Sequence, residues 1–287
     1  YINWYNIFKK IFFVSAIVII VFIAYLFSLS KNLPSIDELN KYNPEQVSKI
    51  LSADDVVIKK LYTHKRDMVN ISVIPVNLRN ALFAMEDRDF YQHSGISIKA
   101  TTRAIIVDVL TLSTRQGAST ITQQLARNMY NSIGFKKTIN RKIKELITAI
   151  KIEQTYTKSE ILELYLNSIY FGHGNYGVQS ASIYYFSKNV SKLTLDEASI
   201  LIGLLPAPAR YSPIRHPEKS LNRRNLVLNV MYSEGYISNE ELQVNLNKEL
   251  SVSKSEYNNS IAPHYTEYVR RELEKIDTEL EINIYED

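Results

Sequence analysis

The stretch Glu86-Asp87-Arg88-Asp89-Phe90-Tyr91-Gln92-His93-Ser94-Gly95 is the densest polar run in the chain, and it follows an apolar stripe directly. Leu78, Ala81, Leu82 and Met85 repeat at three- and four-residue spacing, which predicts a helix with one buried face. Glu86 falls four residues after Leu82, at the edge of that face. A carboxylate so placed is half-desolvated, which suits it to proton transfer. The plainer reading is a surface carboxylate paired with Arg79 or Arg88, and His93 reads equally as a packing histidine.

Downstream stand two further clusters. Gly117-Ala118-Ser119-Thr120-Ile121-Thr122-Gln123-Gln124 sets hydroxyls and amides in series, a pattern that caps a helix or binds sugar hydroxyls and phosphate oxygens. It is not a serine-nucleophile elbow, because the second glycine of G-x-S-x-G is missing. Arg141-Lys142-Ile143-Lys144-Glu145 places a lone acid among bases, either a salt-bridged surface residue or a group that holds a metal or orients substrate. From Arg127 to Lys151 seven bases stand against Glu145 alone, which suits an anionic substrate or lipid headgroups as well as a solvated face. From Glu234 to Asp287 thirteen acids oppose five bases.

The whole chain hides this segregation. Its 287 residues carry a net charge of only +4, too mild to argue for nucleic acid. With 45% hydrophobic and 22% charged residues it has the composition of a folded protein of one large or two small domains. Absence of cysteine excludes disulfides, thiolate metal sites and cysteine nucleophiles. The five histidines are scattered without H-E-x-x-H spacing. Ser251–Lys254 fits S-x-x-K, but no K-T-G accompanies it, so a penicillin-sensitive serine site is not expected here. Gly172-His173-Gly174-Asn175-Tyr176-Gly177 fits G-x-G-x-x-G, yet a helix is predicted over 161–167 before it, so a helix-to-helix turn is expected rather than a nucleotide site.

Residues 11–30 form an uncharged run between Lys10 and Lys31, long enough at 1.5 Å per residue to cross ~30 Å of hydrocarbon. It exceeds the apolar core of a signal peptide, and Lys9 and Lys10 ahead of it point to a cytoplasmic N-terminus. Residues 1–10 are then a cytoplasmic flank and 11–30 a transmembrane helix; 31–75 read as a connector with short strands, including Val56-Val57-Ile58. Residues 76–247 form the main, mostly helical domain and 248–287 a linker. Capping boxes are expected at Thr157/Glu160, Thr194/Glu197 and Ser238/Glu241. Pro206 and Pro208 should stop the helix starting near Leu195, and Gly235 the one over 221–233. Ile143, Leu146, Ile147 and Ile150 share one helix face and are expected to be core. Residues 104–112 read as a core helix or a segment dipping into lipid.

The order of the clusters carries a resemblance. E-D-x-x-F-x-x-H-x-G is complete from Glu86 to Gly95, and G-x-S-T-x-T-Q-Q from Gly117 to Gln124. R-K-x-x-E stands at Arg141, Lys142 and Glu145. K-x-E-I-L-E-x-Y-L-N runs from Lys158 to Asn167, and R-R-x-x-V-L stands at Arg223, Arg224, Val227 and Leu228. In these five ordered motifs the chain resembles the family 51 peptidoglycan glycosyltransferases, the polymerase domain of bacterial class A penicillin-binding proteins. The resemblance implies a mainly α, lysozyme-like fold with a small membrane-proximal lobe, preceded by a single transmembrane helix. It implies polymerisation of lipid II on the outer face of the cytoplasmic membrane.

Glu86 matches the family's catalytic base and Glu145 its second glutamate. Ser119, Gln123, Gln124, Arg127 and Arg141 fall where the donor pyrophosphate and sugar bind, with arginine at 127 where the family more often has lysine. Asp87, His93, Thr120, Asn128 and Lys142 complete the implied substrate-binding set, with Lys137 a further phosphate contact. A divalent ion, Mg or Mn, is implied near Glu145 with the donor diphosphate, and no organic cofactor. Implied partners are lipid II, the growing lipid-linked glycan, membrane lipid and other wall-synthesis proteins. Residues 261–287 resemble the linker into a transpeptidase domain. A glycan-cleaving lysozyme-like enzyme and a non-catalytic wall scaffold are the alternatives.

Overall fold

The computed structural model describes residues 4–31, 33, 48–54, 57–61, 65–103, 119–130, 133 and 138–252, with positions 265, 268, 269, 271 and 272. Lys137, residues 104–112, Lys254 and most of 261–287 lie outside them.

The core is organised around one helix that is apolar nearly all round. In Leu195–Leu204 (α7 in the numbering below) every residue is buried, as a helix without a polar face must be. Thr194 and Glu197 close its capping box, the Thr194 N–H donating to Glu197 Oε2 over 2.9 Å. It ends before Pro206, where a missing N–H and a fixed φ end helices. Its buried acids are neutralised from outside, Asp196 by Lys248 at 3.0 Å and Glu197 by Lys188 at 2.6 Å.

In chain order the helices are α1 (Trp4–Ser30), α2 (Val76–Glu86), α3 (Ile121–Met129), α4 (Ile139–Thr155) and α5 (Lys158–Ser168). Then follow α6 (Val178–Phe186), α7, α8 (Pro217–Ser233) and α9 (Asn239–Leu246). The expected capping boxes of α5 and α9 are both formed. The Thr157 and Ser238 N–H groups hold the Glu160 and Glu241 carboxyls below the ordinary range. α2 and α8 pack on α7, α9 packs on α8, and α3 packs between α4 and α5.

The strands are short. β1 (Ser48–Leu51) and β2 (Val57–Leu61) form an antiparallel pair with Ser48 opposite Leu61. β3 (Lys65–Arg66) runs parallel to β5 (Asn175–Tyr176), and β4 (Tyr170–Gly172) antiparallel to it, giving the order β3-β5-β4. The glycine-rich stretch is therefore a β-hairpin, not the plain helix-to-helix turn expected. Gly177 has φ +80°, and a Cβ there would stand 2.7 Å from the Asn167 carbonyl oxygen. Closure onto the end of α5 accounts for that glycine.

One expectation fails on α4. Its buried face is Glu145, Thr148, Ala149 and Ile152, while Ile143, Leu146 and Ile147 are only half-buried and Ile150 is exposed. Periodicity shows that a helix has an apolar face, not what that face meets. Here α1 contacts α4, with the Tyr25 hydroxyl donating to Asn140 Oδ1. Within α1, Phe8–Leu29 is 22 residues long with mean hydropathy 2.8 and none of it buried, the one helix among the described residues able to cross a membrane by length and composition.

Candidate active site

The site is built around α3, whose two ends reach two different glutamates. Its N-terminus is clamped to the Glu86–Gly95 loop. Thr120 caps α3, accepting from the Gln123 N–H, and donates to the Gly95 carbonyl at 2.7 Å. Gln123 Nε2 donates to the same carbonyl at 3.1 Å. Asp87 Oδ2 accepts from the Ile121 N–H at 2.9 Å, and both Asp87 oxygens lie within 3.0 Å of His93 Nε2. Asp87, His93, Thr120 and Gln123 are thus brought together as a buried clamp that fixes where Glu86 sits.

Gly95 lets the clamp close. Its φ is +85°, and a Cβ there would lie 2.9 Å from the Ala149 carbonyl oxygen on α4. Thr122 and Lys158 both donate to Glu153 Oε1, at 2.6 and 2.7 Å, and the Lys158 ammonium lies 4.5 Å from the Phe90 ring centroid. These motif residues tie α3, α4, α5 and the loop together.

Glu86 ends α2, half-buried. Gln124 Nε2 donates to its Oε2 at 2.9 Å, and Gln124 Oε1 accepts from the Tyr165 hydroxyl at 3.0 Å. Tyr165 is absent from the residues expected at the site. Its signal was present: an aromatic on the buried Ile161-Leu162-Tyr165-Leu166 stripe needs a partner for its hydroxyl.

Glu145, on α4, is 1% exposed and surrounded by cations. Arg141, one turn earlier, pairs with Oε1, Arg127 Nη1 from α3 lies 3.7 Å from the same oxygen, and Lys142 Nζ lies 3.4 Å from Oε2. Three cations against one carboxylate leave an excess of positive charge. Lys142 also donates to Ser119 Oγ and Gln123 Oε1, both at 2.7 Å, so Ser119 belongs to the same network. Burial holds the Lys142 ammonium below the ordinary lysine value, and the Glu145 charge opposes that shift.

Gln124, Arg127 and Arg141, which contact the two glutamates, line one cleft of about 430 Å³ together with Asn128. Ile169, Tyr170, Leu205 and Pro208 form its apolar wall. Nearly all the residues expected at the site thus converge on one region; Lys137 lies outside the described residues. The donor set at Glu145 does not fit a divalent ion held by the protein. Its carboxylate is already paired with three cations, which would repel a dication, and no group of three or more His, Asp or Glu suited to a metal occurs among the described residues.

The family described as Transglycosylase matches residues 54–232. The chain belongs to this family. Among curated relatives, the transglycosylase chain is 45% identical to penicillin-binding protein 1A of Aquifex aeolicus over 249 residues, covering 86% of this chain and 34% of that protein. It is 46% identical over 194 residues to penicillin-binding protein 1F of Bacillus subtilis, covering 68% and 27%. It is 43% identical over 242 residues to penicillin-binding protein 1A of Neisseria gonorrhoeae, covering 84% and 30%. The chain spans about a third of the length of these relatives. A solved structure of penicillin-binding protein 1A from Haemophilus influenzae aligns with 80% of this chain and 24% of its own, at 27% identity and a TM-score of 0.44.

Proposed function

We propose that this chain is a peptidoglycan glycosyltransferase that joins lipid II units into β-1,4 glycan strands, with undecaprenyl pyrophosphate as the leaving group. The observation that carries this reading is the two-pole cleft: Gln124, bonded to Glu86, and Arg141, bonded to Glu145, line the same space.

The chemistry follows from the difference between the poles. The pyrophosphate needs no protonation to leave; it needs its growing charge stabilised as the C1–O bond breaks. Arg127 and Arg141 face the cleft with charge beyond what Glu145 neutralises, and Lys142 adds a third cation beside Glu145. The acceptor is the 4-hydroxyl of N-acetylglucosamine on the second lipid, a poor nucleophile until a base takes its proton. Glu86 takes that proton as the oxygen attacks C1 from the face opposite the pyrophosphate. An α-linked donor becomes a β-linked product in one displacement, with no covalent intermediate. Glu145 keeps the arginines in place. Asn128 faces the sugar from the cleft wall.

Both substrates are lipids, which fits a chain whose helix α1 suits a bilayer and touches the helix carrying Glu145. The catalytic part then lies on the outer face of the cytoplasmic membrane, where lipid II and the growing glycan are held beside other wall-synthesis proteins. The test is polymerisation of purified lipid II by the chain and by Glu86→Gln. Strand formation by the first and a rate roughly 10²- to 10⁴-fold lower by the second is expected; cleavage of finished glycan strands without polymerisation would mark a hydrolase instead.

A further inference from the structure

We propose that Tyr165 is a positioning residue for Glu86, acting through the carboxamide of Gln124. The inference rests on the reading of Glu86 as the base. A glutamine side chain has a donor end and an acceptor end, and a half-turn about its last bond exchanges them. With Nε2 toward Glu86 the amide donates to a carboxylate; with Oε1 there, two acceptors would face each other. Gln124 alone could turn away and leave Glu86 without that donor. The Tyr165 hydroxyl, 3.0 Å from Gln124 Oε1, supplies the hydrogen that holds the acceptor end on its own side. Nε2 then lies 2.9 Å from Glu86 Oε2 and pins that oxygen, which leaves Oε1 for the acceptor sugar's proton.

The tyrosine suits this task because it cannot move and does not ionise. Its side chain is fully buried on α5, in the packed core. Burial first, then the charge of Glu86, pushes its hydroxyl well above the ordinary phenol value, so it remains a donor over the working pH range. The hydroxyl touches neither substrate nor the reacting atoms. Its contribution is the direction of a hydrogen bond two side chains away.

The experiment compares wild type, Glu86→Gln, Tyr165→Phe, Gln124→Leu and the double variant Tyr165→Phe/Gln124→Leu in lipid II polymerisation, with kcat, KM and a pH profile for each folded, active chain. Tyr165→Phe keeps the ring and removes only the hydroxyl. Its kcat should fall about 10- to 100-fold, the scale of a misplaced catalytic group, with KM within about twofold. The acid limb of its pH profile should move up by ~0.5–1 unit, as expected when a carboxylate loses one neutral donor. The double variant should be no worse than Gln124→Leu alone, because the tyrosine has nothing left to act through.

Unchanged kcat and profile in Tyr165→Phe overturn the proposal. So does a lower kcat with an unmoved profile and additive losses, which would mark a packing role. Should Tyr165→Phe fail to fold, Gln124→Leu carries the test, and wild-type kcat in it overturns the relay. Polymerisation by Glu86→Gln would remove the base itself and the role of Tyr165 with it. A dead Glu86→Gln beside an unaffected Tyr165→Phe sinks the relay alone.

Discussion

Two glutamates are held by side chains that line one cleft, and their surroundings differ in kind. Glu86 is half-buried and bonded to a neutral amide, with no cation of the described residues paired to it. Glu145 is almost wholly buried and paired with two arginines and a lysine. The same carboxyl group meets one neutral donor in the first setting and is a counter-ion to three cations in the second. Sequence identity at the two positions therefore says nothing of the division of labour; the neighbours decide it.

The comparison breaks most visibly in the two charge-removing substitutions. Glu86→Gln should lower the polymerisation rate by roughly 10²–10⁴, the usual scale for a general base, with an unchanged urea midpoint. A stable variant that retains full activity would erase the contrast. Glu145→Gln should lose activity and about 3 kcal/mol of stability in urea titration. That lies at the low end for breaking a buried pair, because the cations left behind keep some access to water. A wild-type midpoint in Glu145→Gln would show that the cluster does not depend on its anion.

Smaller effects sharpen the picture. Arg141→Ala should weaken binding of a pyrophosphate-bearing analogue about 10- to 100-fold, as expected for a charged hydrogen bond worth ~1.5–3 kcal/mol; equal affinity in calorimetry would count against the cationic pole. Thr157→Ala removes the α5 cap, which bonds neither glutamate of the site, and should cost about 1 kcal/mol in thermal unfolding with no change in KM. The smallest effect is pH-dependent and belongs to Lys142. Because burial lowers its folded-state pKa, the unfolded chain binds more protons between that value and 10.5. The destabilisation from its buried charge is thus full below the folded pKa and fades as pH rises to 10.5. Donor KM should rise over the same window. NMR titration of the Lys142 side chain at its ordinary value would remove this expectation.

Much of this was legible without coordinates. The three capping boxes rest on hydrogen bonds between residues three apart, so spacing alone locates them. Leu78, Ala81 and Leu82 are buried as their periodicity implies, and Glu86 stands at the edge of their face. The α4 face was misplaced for an equally local reason. Ile143, Leu146, Ile147 and Ile150 outnumber the apolar residues on the true inner face, where Glu145 is buried with Arg127 from another helix among its partners. No window along α4 contains that arginine. Asp87 and His93 offered chemistry on their own, but their roles depend on the Ile121 N–H, 34 residues beyond Asp87.

By itself the sequence determined most of the helices, three capping boxes, the candidate membrane span and the family, because these depend on neighbours within a few residues or on ordered motifs. Only the tertiary structure decided that α3 would join two unlike glutamates, that the second would be buried among three cations, and that Tyr165 would stand behind Gln124. Charge and hydrogen bonding act through space over a few ångströms, and the pairs Arg127–Glu145, Gln124–Glu86 and Tyr165–Gln124 lie 18 to 41 residues apart along the chain.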